Sequence, residues 1–143
     1  MSGASESVEA LVRAFTERTL PREQWTHRAH LAVSVSLIRE QGLPGALTEM
    51  PGLIQRYNVQ CGVANSDTSG YHATLTIAFL RCVAGMLAHI PRTTDLATVV
   101  DLVAQSPLGQ SDWPLQYWSA ARLWSTEARR AWVEPDLRPN PLF

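Results

Sequence analysis

Apolar residues recur at three- and four-residue spacing along most of the sequence, and proline or glycine stands between the successive runs. In the first run Val8, Leu11, Val12 and Phe15 share one helical face. No segment keeps the two-residue alternation of a strand for long. These patterns predict an all-α fold, a single compact helical bundle of about five to seven helices. One helical domain is expected over 1–143, with a proline-rich tail from about 135.

Capping residues and helix breakers predict the helix boundaries. Ser5 is expected to cap the first helix, which ends at Pro21, and Thr26 the second, which Gly42 stops. The other expected segments are helices over 44–50 and 51–60, a polar loop over 63–70, a longest helix that begins at Tyr71 and ends at Pro91, a helix through Gln105 capped by Thr93 or Thr94, and one or two aromatic-rich helices over 113–132.

The charged residues exclude several classes of function. All 12 basic residues are arginine, so the chain has no lysine for a Schiff base or for a phosphate-binding loop. A net charge of −1 argues against a nucleic-acid partner, which needs an excess of positive charge. Two cysteines are too few for a disulfide framework, so none is expected. We expect no signal peptide, and no apolar run is long enough to span a membrane. The sequence therefore predicts a cytoplasmic protein without a membrane partner.

Three histidines stand at the predicted starts of helices. His27 and His30 are three residues apart, so they share a face, and helical winding turns that face inward. His72 starts another helix and also falls on its inward face. Helix N-termini and burial both favour neutral imidazole, which is the form that binds metals. We therefore predict a three-histidine divalent-metal site, with zinc expected first and nickel, iron or manganese as alternatives.

Two alternatives to a metal remain open at this point. The histidines could form a metal-free catalytic or ligand-binding cluster, or a structural network with backbone partners. Around them Trp25, Tyr57 and Tyr71 are candidate pocket walls. Asp67 is a candidate to orient a histidine, and Thr76 to bind a ligand through its hydroxyl. Nucleotide-binding and hydrolase signatures such as GxSxG and HExxH are absent from the sequence.

Three segments resemble a family of small bacterial helical proteins. They are the PxxxWTHxxHL pattern starting at Pro21, the NSDTSGYH pattern starting at Asn65, and the WVEPDL pattern starting at Trp132. The three occur in the family's order and span most of the chain. The resemblance implies no activity, because none is established for that family. Its members read Gly-Tyr-His-Glu-Thr, whereas Ala73 follows the histidine here, so a glutamate ligand or base would be missing.

Three functions follow as hypotheses. The first is a metal-dependent enzyme that acts on a small organic substrate as a hydrolase, lyase or isomerase. The second is a non-enzymatic metal- or small-ligand-binding protein, with neutral histidines and helix N-termini holding an anionic group. The third is a helical interaction domain that uses its tryptophan-rich C-terminal region. A small molecule is the expected partner, and a homodimer is allowed by the sequence.

Overall fold

The computed structural model describes residues 3–143, and within that range the chain is helical without any strand. The prediction of an all-α bundle of five to seven helices is confirmed. Short 3-10 turns occur at Arg22–Gln24, Pro107–Gly109 and Trp113–Gln116. The six α-helices are α1 (Gly3–Thr16), α2 (His27–Gln60), α3 (Ala73–Leu87), α4 (Leu96–Gln105), α5 (Ala120–Leu123) and α6 (Thr126–Arg130).

Helix α2 is the centre of the bundle and packs against α1, α3 and α4. Between residues 29 and 38 no side chain is exposed, and Leu31, Val33 and Val35 are each almost fully buried. A helix with neighbours on several sides has no need of a wide polar face. Among residues 3–143 no helix has the length and apolar character needed to cross a membrane.

Gly42 interrupts α2, as predicted, but the chain then continues in one helical segment. Its φ of 76° and ψ of 171° lie in a region that glycine alone adopts readily, and they kink the helix. The two separate helices predicted over 44–50 and 51–60 are one, with Pro51 inside it. Met50, Leu53 and Ile54 are buried around that proline, and their burial favours helical continuity.

Three further predicted helix starts are wrong. Helix α3 begins at Ala73, because His72 is extended and acts as the N-cap. Asp95, and neither Thr93 nor Thr94, caps α4 by accepting from the amide of Thr98. Ser5 lies inside α1, where its hydroxyl accepts from the amide of Ala97, so any cap of α1 falls outside the described residues.

Several predicted helix ends are also wrong. Helix α1 ends at Thr16, ahead of Pro21, and Arg18 just beyond it has a φ of 64°. Helix α3 ends at Leu87, before Pro91. The predicted helices over 113–132 are short pieces, since Ser119 and Ser125 each start a new helical turn with a capping hydroxyl.

The C-terminal tryptophans belong mostly to the core. Trp113 and Trp118 are buried, and Trp132 packs edge-on against Trp118 at 5.5 Å. The proline-rich tail is held in place, because Asp136 accepts from both the amide and the hydroxyl of Ser119. At the end of the chain Phe143 packs on Trp118, with ring centroids 4.8 Å apart.

The Gly42 kink gives the first testable prediction. Gly42→Ala should lower the free energy of unfolding by about 1–3 kcal/mol, because alanine is strained at this φ and ψ, although its methyl group would meet only Pro44, at an ordinary contact distance of 3.7 Å. Gly3→Ala is the matched control, since its added methyl group meets no atom within 4 Å. Urea titration measures the free energy of unfolding of both variants. Equal stability of the two variants would contradict a strained kink.

Candidate functional site

A pocket of about 560 Å³ lies where the starts of α2 and α3 meet the chain that follows α4, at residues 111–115 and 123–124. His27, His30 and His72 all line it. Most of its other walls are apolar or aromatic. The residues that line it are Trp25, Leu31, Ser34, Met50, Ile54, Asn58, Gly70, Tyr71, Leu75, Thr76, Phe79, Ser111, Asp112, Leu115, Leu123 and Trp124.

His30 is held by its own helix and by an aromatic stack. Its Nδ1 lies 2.9 Å from the carbonyl oxygen of Thr26. A carbonyl only accepts, so Nδ1 carries the proton, and Nε2 of the neutral ring is an acceptor. The imidazole lies 3.8 Å from the ring of Trp25, which stacks at 4.1 Å on Phe15. The side chain therefore has a defined tautomer and a defined position.

His27 is tied to a distant part of the chain. Its Nε2 lies 2.8 Å from the carbonyl oxygen of Leu108, 81 residues away. By the same argument Nε2 donates, and Nδ1 of the neutral ring is left as an acceptor. The ring also packs edge-on against Phe79 at 5.1 Å.

His72 uses both ring nitrogens within the fold. Nδ1 accepts from the amide of Leu75 at 3.1 Å, which caps α3, and Nε2 donates to the carbonyl of Leu123 at 2.6 Å. One accepting and one donating nitrogen define a neutral imidazole. The side chain is buried, and Trp124 covers it edge-on at 5.7 Å. His72 is therefore a structural link between α3 and α5.

Burial keeps two of these imidazoles neutral. It lowers the pKa of His30 from 6.5 to about 4, although the bond to Thr26 opposes the shift. Burial likewise lowers the pKa of His72, with the bond to Leu123 opposing and nearby Arg129 adding to the shift. Near pH 7 neither ring carries a proton on both nitrogens.

The three-histidine metal site stays a prediction, and the geometry does not fit it as it stands. A ligand nitrogen must offer a free lone pair, and His72 has none. Within residues 3–143 no group of three or more His, Cys, Asp or Glu side chains is arranged to hold an ion. Binding would require His72 to release the cap of α3 or the carbonyl of Leu123.

The remaining predicted site residues separate into two groups. Trp25, Tyr71 and Thr76 line the pocket. Tyr57 lies behind it in the core, where its hydroxyl donates to the carbonyl of Leu20 at 2.8 Å. Asp67 is on the surface, and both its oxygens accept from Arg130, so it orients no histidine in this structure.

Sequence reasoning missed the partners that fix the histidines. The carbonyls of Leu108 and Leu123 belong to the backbone, which carries no residue-specific signal. Phe79 and Ser34 lie on the predicted inward faces, so helical periodicity could have placed them in the pocket. Trp124 is 53% exposed at the pocket, and no pattern distinguished it from the buried tryptophans.

Comparison with known proteins gives no relative from which to transfer a function. No protein-family model matches the chain, and no curated protein or solved structure matches it.

Replacement of His72 tests its structural role. His72→Ala should lower the free energy of unfolding by roughly 2–3 kcal/mol, because it removes a helix cap and leaves a buried carbonyl without its donor. His72→Asn should cost less, since asparagine also caps helices. Exposed His89→Ala is the control. A stability of His72→Ala equal to that of the control, in urea titration, would refute the structural role.

Acid should weaken the fold through the buried imidazoles. The unfolded chain takes up protons near pH 6.5, whereas folded His30 does so only near its pKa of about 4. Between these values the unfolded state binds more protons, so the free energy of unfolding falls as the pH falls. The slope approaches about 1.4 kcal/mol per pH unit for each such histidine, and the lowered pKa of His72 adds a loss of the same sign.

Urea titrations between pH 6.5 and about 4.5 measure this slope. His30→Gln should reduce it, whereas His89→Gln, at an exposed position outside the pocket, is the reference. The pKa values of Asp67, Asp95 and Asp136 are lowered from 3.8 by their hydrogen bonds, so their effect on stability begins at lower pH. Equal slopes for the two variants would rule out His30 as the cause.

Proposed function

We propose that this protein binds a small, uncharged and largely apolar organic molecule in the pocket at the starts of α2 and α3. The pocket itself carries this proposal. Its volume of about 560 Å³ suits a small organic ligand. Leu75, Ile54 and Phe79 supply apolar walls, and a few polar groups lie among them. Apolar walls with a few placed polar groups are typical of small-molecule sites.

The lack of a cationic side chain among the described lining residues favours an uncharged ligand, since the nearby Arg129 donates to the carbonyls of Gly70 and Tyr71. None of the described residues that line the pocket is an arginine, and the sequence contains no lysine. A carboxylate or phosphate that entered would lose its hydration without gaining an ion pair. The anion-binding version of the ligand-binding hypothesis therefore has less support than a neutral ligand.

The geometry favours binding over metal-dependent catalysis. His30, with its pKa lowered to about 4, is a weak base near pH 7, where an efficient general base has a pKa close to the operating pH. The nitrogens of His72 are both occupied. The interaction-domain hypothesis also loses support, because Trp113 and Trp118 are buried in the core.

A substitution that fills the pocket tests the proposal. Leu75 lines the pocket, so Leu75→Phe should weaken binding of the uncharged probe N-phenyl-naphthylamine by about tenfold or more, which corresponds to roughly 1.4 kcal/mol. Leu102→Phe is the matched control, because Leu102 is 44% exposed on α4 and does not line the pocket. The increase in probe fluorescence on binding gives the dissociation constant.

The sulfonated analogue, anilinonaphthalene sulfonate, tests the role of charge with a similar ring system. It should bind more weakly than N-phenyl-naphthylamine, since its sulfonate finds no cationic side chain in the pocket. Circular dichroism of each variant shows whether the fold is intact. If folded Leu75→Phe binds the uncharged probe as the wild type does, the pocket is not the binding site and the proposal fails.

A further inference from the structure

The hydrogen-bond donors of the three pocket histidines already have partners. The ring N–H groups of His27, His30 and His72 donate to the carbonyls of residues 108, 26 and 123, at 2.8, 2.9 and 2.6 Å. Each carbonyl fixes its tautomer, because the ring cannot turn the N–H toward a ligand without losing that bond. In their neutral forms these imidazoles offer a ligand no donor.

Two pocket hydroxyls are engaged in the same way. Ser34 donates to the carbonyl of His30 at 2.9 Å, and Thr76 donates to the carbonyl of His72 at 2.8 Å. Both bonds run back one turn along the helix, as is usual for serine and threonine in helices. Their hydrogens are therefore directed into the helices, and only oxygen lone pairs remain for a ligand.

Two imidazole lone pairs are left without a partner. Nε2 of His30 and Nδ1 of His27 accept no hydrogen bond from the described residues. Neither nitrogen is among the buried side-chain atoms that lack a partner, so both remain accessible. Both residues line the pocket. At these two histidines the pocket therefore presents accessible acceptors and no free donor, which is complementary to a ligand that donates.

His30 is the better positioned of the two acceptors. The bond to Thr26 and the contact with Trp25 hold its ring, and Trp25 in turn stacks on Phe15. A group held before binding loses little conformational freedom when the ligand arrives. Burial lowers the pKa of His30 to about 4, which preserves the lone pair on Nε2 at neutral pH.

The residues that line the pocket indicate which kind of ligand would carry the donor group. Trp25, Tyr71, Phe79 and Trp124 all line the pocket, and aromatic side chains pack favourably against aromatic rings. A cationic donor is disfavoured, because Asp112, the one carboxylate among the described lining residues, is exposed to water. A buried cation without a paired charge pays a large desolvation penalty.

We propose that the ligand is an uncharged aromatic compound bearing an O–H or N–H group, and that this group donates a hydrogen bond to Nε2 of His30. The inference rests on the proposed function and specifies its ligand class. Specificity arises because an analogue without the donor leaves the imidazole lone pair desolvated and unpaired.

Naphthol and methoxynaphthalene test the proposal, because they share a ring system and differ in the donor. Isothermal titration of the wild type should show naphthol binding about five- to tenfold more tightly, as expected for one hydrogen bond. His30→Phe keeps an aromatic ring against Trp25 but removes the acceptor, so it should bind the two probes equally. His89→Phe, at an exposed position, should keep the wild-type preference.

The folding of His30→Phe is checked by circular dichroism, and His30→Leu provides a second variant without an acceptor. A preference for naphthol that persists in either folded variant would overturn the role of His30. Tighter binding of naphthoate or of naphthylmethylammonium than of naphthol to the wild type would overturn the uncharged-donor class.

Failure of this inference differs from failure of the proposed function. If wild-type protein binds methoxynaphthalene as tightly as naphthol, and Leu75→Phe weakens both, the pocket binds apolar molecules but does not select a donor. If the wild type binds neither probe, both proposals fail. Naphthol binding that Leu75→Phe leaves unchanged places the ligand elsewhere and also contradicts both.

Discussion

The bonds from imidazole N–H groups to backbone carbonyls are the interactions on which the rest of the site depends. His27 and His72 stand at the starts of α2 and α3, and their partners lie 81 and 51 residues further along the chain. These two bonds join the central helices to the irregular C-terminal half. They also determine which ring nitrogen carries the proton. Pocket assembly and pocket chemistry therefore have one physical origin.

Helical periodicity predicted the fold class and missed several boundaries, for reasons that differ by residue. The break at Gly42 is predictable, because glycine adopts backbone conformations that other residues avoid. Helical periodicity places His72 inside a helix because the apolar pattern continues around it, whereas its side chain caps the helix from an extended backbone. Proline favours the first turn of a helix, which predicts a start at Pro51, yet burial of its neighbours outweighs its missing amide.

The candidate site was predictable to the extent that it depends on helix faces. Helical winding predicts that His27 and His30 face inward. Both line the pocket, beside Ser34 and Leu31. Sequence could not reveal which carbonyls they meet, because those contacts depend on tertiary packing. This information decides the chemistry, since one of the three predicted metal ligands has no lone pair left.

Burial of His30 affects both the proposed ligand specificity and the stability of the fold, because both depend on whether its ring is protonated. A proton added to Nε2 of His30 would convert the accessible acceptor into a donor while Nδ1 still donates to Thr26. The pocket would then repel the O–H or N–H group that it is proposed to accept, and the protonated ring would also have lost part of its hydration. Because the pKa of His30 is about 4, this inversion lies well below neutral pH. The proposed ligand selection and the stability near pH 7 thus both depend on Nε2 of His30 staying unprotonated.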